Sequence, residues 1–408
     1  METSANYFHD HAAPGYWEKQ LSKAEAEGRI DAKNAATIHR FINYRQGGRG
    51  ITNLRSTKLA SILCSWRQVL PTDWEAATID DLFAARVRLT TMENSKGHPY
   101  KQNTISDHIR ILKSFYKWMI VRGYSSIKRE ELDELKAPAT DTDTTDPGDL
   151  LTTEELNAMI RAAKTHRDRA ILAVLYESGA RIGELARLKW SDIQFDKYGV
   201  KCTINDTKEG KKRYPRLFNS TAYLAAWRNG YYGPSAEGDA YVFIGTNGEP
   251  LKYRAIAQVI ERAGERAGIG KRVHPHLFRK SRITELVRKN YQESVIREVF
   301  WANAGTEMFN TYVKLSEKDI DNEFLKKAGL KAEHEINEDD DKPVQCPYCL
   351  AVNPAGSRFC RMCTRPLTVE AADAMREAEK KIEGMPEFGS LVTAMKDQVR
   401  REMVGGDH

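Results

Sequence analysis

A stretch rich in proline, threonine and aspartate, APATDTDTTDPGD at positions 137–149, divides the chain into two parts. Proline and glycine interrupt helices, and a run of threonine and aspartate supplies no apolar surface for a core. Apolar residues return at regular spacing on both sides of this stretch. The chain has 408 residues, which is more than one ordinary domain. We therefore expect a linker over residues 126–150 that joins two separately folded domains.

The part before the linker has the apolar spacing of α-helices. Its clearest helix is NTISDHIRILKSFYKWMIVRG, which places apolar residues on one side and ends at Gly123. Thr78 is a candidate N-cap for another helix, and the segments 30–48 and 54–70 repeat the helical spacing. These patterns predict a domain of four or five helices over residues 15–125. On pattern alone it is a generic helical bundle.

Residues 151–330 combine helices with short strands. Thr152 and Glu155 have the spacing of a capping box, and the apolar helix RDRAILAVLYESGA ends near Gly179. The segments GVKCTIND, KKRYPRLF and DAYVFIG are typical of strands. The predicted fold class is therefore mainly α with a small antiparallel β-sheet, in a mixed α+β domain that follows the helical one.

The charge of the chain permits a nucleic-acid partner without proving one. The formal net charge is +6, and basic residues cluster at Lys208, Lys211, Lys212, Arg213 and Arg216. The sequence has no apolar run long enough for a membrane helix. Its first residues lack the basic-then-apolar pattern of an export signal, so we expect a cytoplasmic protein.

Four of the six cysteines form two close pairs near the C-terminus. Cys346 and Cys349 are followed, after ten intervening residues, by Cys360 and Cys363. Two C-x-x-C pairs at this separation predict a zinc ribbon over residues 345–366, in which four thiolates close a tetrahedral structural site. An acidic tether over 331–344 precedes it, and a helical tail over 367–408 follows. The isolated Cys64 and Cys202 are expected to be buried, inert thiols.

Five residues of the second domain form a set that can attack a phosphodiester without a metal. They are Arg181, Lys208, His276, Arg279 and Tyr312. A tyrosine oxygen can take a phosphoryl group and hold it covalently. Arginines can contact two non-bridging oxygens at once, while a histidine and a lysine can move protons.

The local sequences around these residues resemble those of the tyrosine recombinase (phage integrase) family. SGARIGELARL resembles the first family box around Arg181, with Glu184 in its acidic position. HPHLFRK contains the H-x-x-R pair of the second box, and the nucleophile position falls on Tyr312. The resemblance implies a catalytic domain over 151–330 and a core DNA-binding domain over 15–125. The appended ribbon is of a kind common in archaeal proteins.

The sequence departs from the family pattern at two positions. The residue after the second arginine is often histidine in the family and is Lys280 here. The family also places a histidine or tryptophan shortly before the tyrosine. Trp301 is the candidate for that position, although it lies two residues further from Tyr312 than usual.

The resemblance implies a transesterification on double-stranded DNA through a 3′-phosphotyrosine, with no catalytic cofactor and with four protomers around two duplexes. Two alternatives stay open, namely a type IB topoisomerase-like enzyme and a non-catalytic DNA-binding protein of the same fold. A helix after the tyrosine would carry an apolar face that docks on a neighbouring protomer or packs on its own domain. That face consists of Ile320, Phe324, Leu325 and Leu330.

Overall fold

The computed structural model describes most of the chain. The described residues are 8, 12–93, 97–141, 145–196, 198–205, 211–233, 235–302, 309, 312–315, 343–346, 349 and 351–383. They divide into two compact units, Met1–Asp146 with Leu251–Ala255 and Pro147–Pro250 with Ile256–His408. Lys208 and the predicted docking helix with Ile320, Phe324, Leu325 and Leu330 lie outside the described residues. So do most of the acidic tether and the end of the tail.

The first unit is helical, as predicted. Its helices are α1 (Tyr16–Ala26), α2 (Ala32–Arg49), α3 (Asn53–Val69), α4 (Ile79–Thr91), α5 (Gln102–Val121) and α6 (Arg129–Glu134). Helix α3 packs on α1, α2, α4 and α5, so it is the centre of the bundle. Thr78 caps α4 in a capping box with Asp81, which confirms the predicted helix start.

Aromatic rings fill the core of this bundle. Phe115 of α5 packs edge-on against Phe41 of α2 and against Trp74, with ring centroids 5.2 and 5.0 Å away. The amide oxygen of the buried Asn34 side chain accepts a hydrogen bond from the backbone N–H of Trp74 at 3.1 Å. Buried polar groups paired in this way fix the packing without a desolvation penalty.

The predicted linker is shorter than the range 126–150. Ile127, Leu132 and Leu135 are buried in the core of the first unit, and α6 lies within that range. The chain then runs along α5, where the Ser106 hydroxyl donates to the carbonyl of Pro138 at 2.9 Å. The proline and aspartate composition identified a break between units but not the short apolar helix just before it.

The second unit is built around one helix that is buried on all sides. Its helices are α7 (Thr153–Ala162), α8 (His166–Ser178), α9 (Ile182–Ala186), α10 (Thr221–Asn229), α11 (Tyr253–Arg266), α12 (Pro275–Arg288) and α13 (Glu293–Trp301). Helix α8 packs against α7, α10 and α12. Every residue from Ala170 to Ser178 is buried, as expected for a central helix.

A buried carboxylate ties the sheet to this central helix. Glu177, near the end of α8, accepts hydrogen bonds from the backbone N–H groups of Phe218, Asn219 and Ser220 at 2.8 to 3.0 Å. It also accepts one from the Ser220 hydroxyl at 2.6 Å. A carboxylate at a helix N-terminus satisfies donors that have no intrahelical partner. Glu177 therefore fixes where the last strand ends and α10 begins.

The strands of this unit are short and antiparallel. They are β1 (Ile193–Asp196), β2 (Gly199–Cys202), β3 (Ile204–Asn205), β4 (Lys212–Arg213) and β5 (Arg216–Leu217). The order β1-β2-β5 forms one sheet, and β3 pairs with β4 in a second one. Two of the three predicted strand segments are confirmed. DAYVFIG contributes only isolated bridges, Lys189 with Tyr241 and Ile244 with Pro250, and the predictions omitted β1.

The C-terminal region contains the two-stranded pair β6 (Val344–Gln345) and β7 (Val352–Asn353), followed by a helix over Val369–Glu383. Among the described residues, no helix is long and apolar enough to cross a membrane. Cys64 and Cys202 are buried, as predicted, and burial raises the pKa of their thiols to about 11 and about 12.

Gly179 ends α8 in a backbone conformation that other residues rarely adopt. Its φ is +55°, and a Cβ placed there would lie 2.1 Å from Cε1 of Phe300. The absence of a side chain therefore permits both the left-handed turn and the close approach of Phe300. The turn leads directly to Arg181.

We expect Gly179→Ala to lower the free energy of unfolding by about 2–5 kcal/mol, because backbone strain and overpacking add. Denaturant unfolding measures this change. The matched control is Gly268→Ala, where φ is +68° but no atom lies within 4 Å of the added Cβ. The control should lose only the strain contribution, about 1–2 kcal/mol. Equal losses in the two variants would contradict the role of Phe300.

Candidate active site

Arg279, like Arg213, is a fully buried arginine of the site. It lies on α12 and is 1% exposed. Its guanidinium donates to the carbonyl of Gly179 at 2.6 Å and to the carbonyl of Phe300 at 2.5 Å. Burial, then the nearby charges of Arg213 and Arg181, lower the pKa of Arg279 to about 9. The group therefore remains charged at neutral pH although its environment opposes that charge.

Arg181 lies at the N-cap of α9, as the sequence predicted. Its backbone N–H donates to Oε2 of Glu184 at 2.7 Å, and its Nη1 donates to Oε1 at 2.8 Å. The side chain remains 32% exposed, whereas that of Glu184 is 3% exposed. The carboxylate thus anchors the helix start and one edge of the guanidinium, and leaves the arginine in contact with solvent.

Arg213 is a member of this cluster, although the sequence identified it only as one of a group of basic residues. Its side chain is fully buried on β4, so it is not available to a nucleic-acid partner at the surface. Its Nη2 donates to Oε2 of Glu184 in a very short contact, and its Nη1 donates to the carbonyl of Val299 at 3.0 Å. Glu184 therefore bridges Arg181 and Arg213. Arg216 is not a free surface cation either, since it pairs with Asp196.

Tyr312 packs among three of the predicted site residues. Its ring centroid lies 5.3 Å from that of Trp301 and 5.1 Å from that of His276, both in edge-on geometry. The guanidinium carbon of Arg279 lies 5.5 Å from the centre of the tyrosine ring. The structure therefore brings together His276, Arg279, Trp301 and Tyr312, and the pKa of Arg279 reflects the proximity of Arg181.

Trp301 reaches Tyr312 in spite of its unusual spacing along the chain. It is the last residue of α13, and the following Ala302 adopts a left-handed conformation with φ of +49°. The indole ring is also 5.1 Å from the guanidinium of Arg279. Its buried N–H has no hydrogen-bond partner among the described residues. An unpaired donor beside a tyrosine and an arginine is a candidate contact for an oxygen of a ligand.

His276 is exposed at the start of α12, and it is favoured in the neutral form. Desolvation of its ring, then the charges of Arg279 and Lys280, lower the pKa of His276 to about 4. A neutral imidazole has one donor and one acceptor nitrogen, so it can accept a proton at neutral pH. Lys280, which stands where the family often has histidine, is buried. Lys208 lies outside the described residues.

The arrangement is suited to an anion. Three arginines surround one carboxylate, so the cluster of Arg181, Arg213, Arg279 and Glu184 carries excess positive charge. Planar guanidinium groups match the oxygens of phosphate, and charge held in a buried site interacts strongly with a developing negative charge.

The four predicted metal ligands also converge. The sulfurs of Cys346, Cys349, Cys360 and Cys363 all lie within 4.8 Å of one another. Cys346 and Cys360 are buried, and Asn353 approaches the Cys360 sulfur at 3.7 Å through its amide nitrogen. Four cysteine sulfurs at such distances can hold a tetrahedral metal ion. Their chemistry favours zinc among the common metals.

Comparison with known proteins relates the second unit to one family. Residues 149–319 match the model of the phage integrase family. Transposase A from transposon Tn554 of Staphylococcus aureus is 31% identical over 188 residues, which cover 43% of this chain and 51% of the transposase. Tyrosine recombinase XerC of Xanthomonas axonopodis pv. citri is 32% identical over 170 residues, 41% of this chain and 53% of XerC. The chain therefore spans about half the length of these relatives.

Solved structures show the same fold. Lambda integrase (residues 75–356) bound to DNA has a TM-score of 0.54 and 17% identity, over 68% of this chain and 96% of the other. A lambda integrase tetramer bound to a Holliday junction has a TM-score of 0.54 and 18% identity, over 69% of this chain and 81% of the other. The Tn1549 transposon integrase in complex with circular intermediate DNA has a TM-score of 0.52 and 15% identity, over 70% and 98%.

We expect Arg213→Met to lower the free energy of unfolding by about 3–5 kcal/mol, because it leaves the buried Glu184 carboxylate short of a partner. Arg216→Met on the same hairpin is the control, since its pair with Asp196 is about a quarter exposed. The control should lose about 1 kcal/mol or less. Denaturant unfolding of both variants measures the difference, and similar losses would contradict the structural role of Arg213.

Proposed function

We propose that this protein is a site-specific DNA recombinase that cuts and rejoins DNA through a 3′-phosphotyrosine intermediate. The match of residues 149–319 to the phage integrase family supports a shared chemistry. The observation that carries the proposal is the position of Tyr312 against His276, Trp301 and the buried guanidinium of Arg279.

Tyr312 is the proposed nucleophile. Its oxygen attacks the scissile phosphorus, an O–P bond forms, and the bond to the 5′ oxygen of the next nucleotide breaks. The tyrosine proton is lost, and a proton is added to the departing 5′ oxygen, so that a free 5′ hydroxyl leaves. A second 5′ hydroxyl reverses the step on another strand, so the phosphoester energy is retained and no external energy source is required.

The cations hold the phosphate and stabilise its developing charge. Arg181 and Arg279 contact the non-bridging oxygens, and Trp301 donates its unpaired N–H to one of them. His276, favoured as neutral imidazole, accepts or returns a proton near the tyrosine. Lys208, which lies in the sequence between β3 and β4, protonates the leaving 5′ oxygen. Glu184 and Arg213 position Arg181 and do not contact the phosphate.

The two units have separate proposed tasks. The helical unit, residues 15–125 in the prediction, is a core DNA-binding domain, and residues 151–330 form the catalytic domain. The linker, which begins after Leu135, lets both units contact double-stranded DNA. Lambda integrase is described as a tetramer on a Holliday junction, and we extend a tetramer on DNA to this chain as a proposal. A location in the cytoplasm accords with an enzyme that acts on DNA.

The cysteine cluster is proposed to hold a structural zinc ion. All four positions are thiolate ligands, so a bound zinc would have no open coordination site for catalysis. Zinc would stabilise the ribbon over 345–366, and the recombination chemistry itself would use no cofactor.

We expect Tyr312→Phe to retain DNA binding and to lose the covalent adduct, because only the phenol oxygen is removed. Incubation with DNA that carries candidate sites, followed by a detergent quench and denaturing electrophoresis, detects the adduct. Tyr291→Phe, a half-exposed tyrosine of the same unit, is the control and should form the adduct normally. An adduct that persists in Tyr312→Phe would exclude the proposed nucleophile.

Recombination and simple relaxation are separated by the DNA products of the incubation, since both reactions form the adduct. A recombinase should exchange strands between two copies of one site, whereas a topoisomerase should relax any supercoiled plasmid without a second site. Site-independent relaxation as the sole activity would replace the recombinase proposal with the topoisomerase one.

Zinc should bind in a ratio of one ion per chain and should be needed for stability but not for the chemical step. We expect Cys346→Ser to lose the metal, measured by atomic absorption, and to make the ribbon sensitive to proteolysis. Cys64→Ser is the control, because Cys64 lies in the core of the other unit. Covalent adduct formation should continue after brief treatment with a chelator. Immediate loss of the adduct that magnesium restores would contradict a metal-free mechanism.

A further inference from the structure

A hairpin beside the cysteine centre exposes three arginines and two apolar side chains. It comprises residues 358–367 and is called here the arginine hairpin. Arg358, Arg361 and Arg365 are exposed on it. Phe359 is 44% exposed and Met362 is 73% exposed. Large apolar side chains in a small module are ordinarily buried, so their exposure together with arginines is informative.

The backbone of the arginine hairpin is held rigidly. The N–H of Leu367 donates to the carbonyl of Arg358, and the N–H of Cys360 donates to that of Arg365, both at 2.8 Å. The fully buried Asn353 accepts the N–H of Arg361 at 2.9 Å through its side-chain oxygen. The side chains therefore project from a fixed frame, which lowers the entropic cost of binding.

Arginines predominate in this hairpin, and the charge of the following Glu370 interacts with that of Arg358. Residues 343–369 contain three arginines and no aspartate or glutamate, although one residue in seven is acidic in the whole chain. The other cysteine pair, Cys346-Pro-Tyr-Cys349, contributes no cation. All the positive charge of the ribbon is thus on one of its two halves.

A simpler explanation is that the arginines neutralise the cysteine thiolates. Arginines that served only that purpose would lie against the sulfurs and be buried. All three are instead exposed, although the charge of Arg361 lies near enough to Cys360 to interact with it. The backbone N–H groups of Arg361 and Met362 donate hydrogen bonds beside Cys360. Neutralisation also does not account for the exposed Phe359 and Met362.

We propose that the arginine hairpin is a second nucleic-acid contact, separate from the tyrosine site. The arginines contact backbone phosphates, while Phe359 and Met362 pack against the bases or sugars of the strand. An acidic protein partner would match the charge of the arginines but would not account for the exposed phenyl ring beside them. A nucleic-acid strand presents phosphates and bases together, so it matches both. The inference rests on the proposed function in that the chain acts on DNA.

The first test locates the contact directly. A full-length, metal-loaded Tyr312→Phe protein carries the photo-cross-linker p-benzoylphenylalanine in place of Phe359. The control carries it in place of Met375, a 40% exposed residue of the C-terminal helix. The probes are a labelled 40-base-pair duplex and one of its strands. We expect a DNA cross-link from position 359 and not from 375, and the two probes show whether duplex or single strand is bound.

The second test measures how strongly DNA binding depends on salt concentration. Replacement of Arg358, Arg361 and Arg365 by glutamine should reduce the slope of log K against log salt by about 2 to 3, since each phosphate contact contributes about 0.9. The control, Arg376→Gln with Lys381→Gln on the C-terminal helix, should leave the slope nearly unchanged. Phe359→Ala should weaken binding about fivefold or more through loss of stacking. Metal content verifies that each variant is folded.

The outcomes test the hairpin proposal separately from the proposed recombinase activity. An unchanged slope in the triple variant, an equal change in the control, or a cross-link from position 359 to another protein chain in place of DNA would overturn it. The hairpin variants are also made in protein that retains Tyr312, and formation of the covalent adduct is measured in each of them. A normal adduct with unchanged binding refutes the hairpin alone, whereas no adduct in any variant refutes the recombinase.

Discussion

The guanidinium of Arg279 joins three parts of the second unit. One edge binds the carbonyl of Gly179 at the end of α8, and another binds the carbonyl of Phe300 near the end of α13. Arg279 itself belongs to α12. The turn that carries Arg181 and the helix end that carries Trp301 are thereby fixed to the helix that carries His276. Arg279 thus adds a hydrogen-bonded link between segments that already pack through α12.

This arrangement has an electrostatic cost. Buried cations are disfavoured, and the lowered pKa of Arg279 expresses the combined effect of burial and of two neighbouring arginines. Glu184 offsets part of the excess by contacting both Arg181 and Arg213. The carbonyls of Gly179, Phe300 and Val299 supply further acceptors. These contacts satisfy the terminal nitrogens of Arg213 and Arg279, whereas the Nε atom of Arg279 has no hydrogen-bond partner among the described residues. The cluster remains positive.

The sequence predicted those features that depend on local pattern. The helices of the first unit, the N-cap at Thr78, the capping box at Thr152 and the convergence of the four cysteines follow from spacing alone. Arg213 could not be assigned from charge, because lysines and arginines surround it. The available signal was the strand period of two, which places Arg213 on the same side as Pro215 and Leu217 and opposite Lys212 and Tyr214. The helix α6 was missed because its apolar residues are few and adjoin a stretch of linker composition.

The excess positive charge of this cluster prepares it to bind a negatively charged group. Under the proposed function, a phosphodiester brings the negative charge that this cluster lacks, so its binding relieves repulsion among the arginines. The same field becomes more favourable as charge grows on the pentacoordinate phosphorus, because the arginines are already oriented by backbone carbonyls and by Glu184. Adding a further carboxylate near Arg279 would improve the stability of the free protein. It would also remove the excess positive charge on which phosphate binding depends, so the proposed activity requires that the electrostatic imbalance be retained.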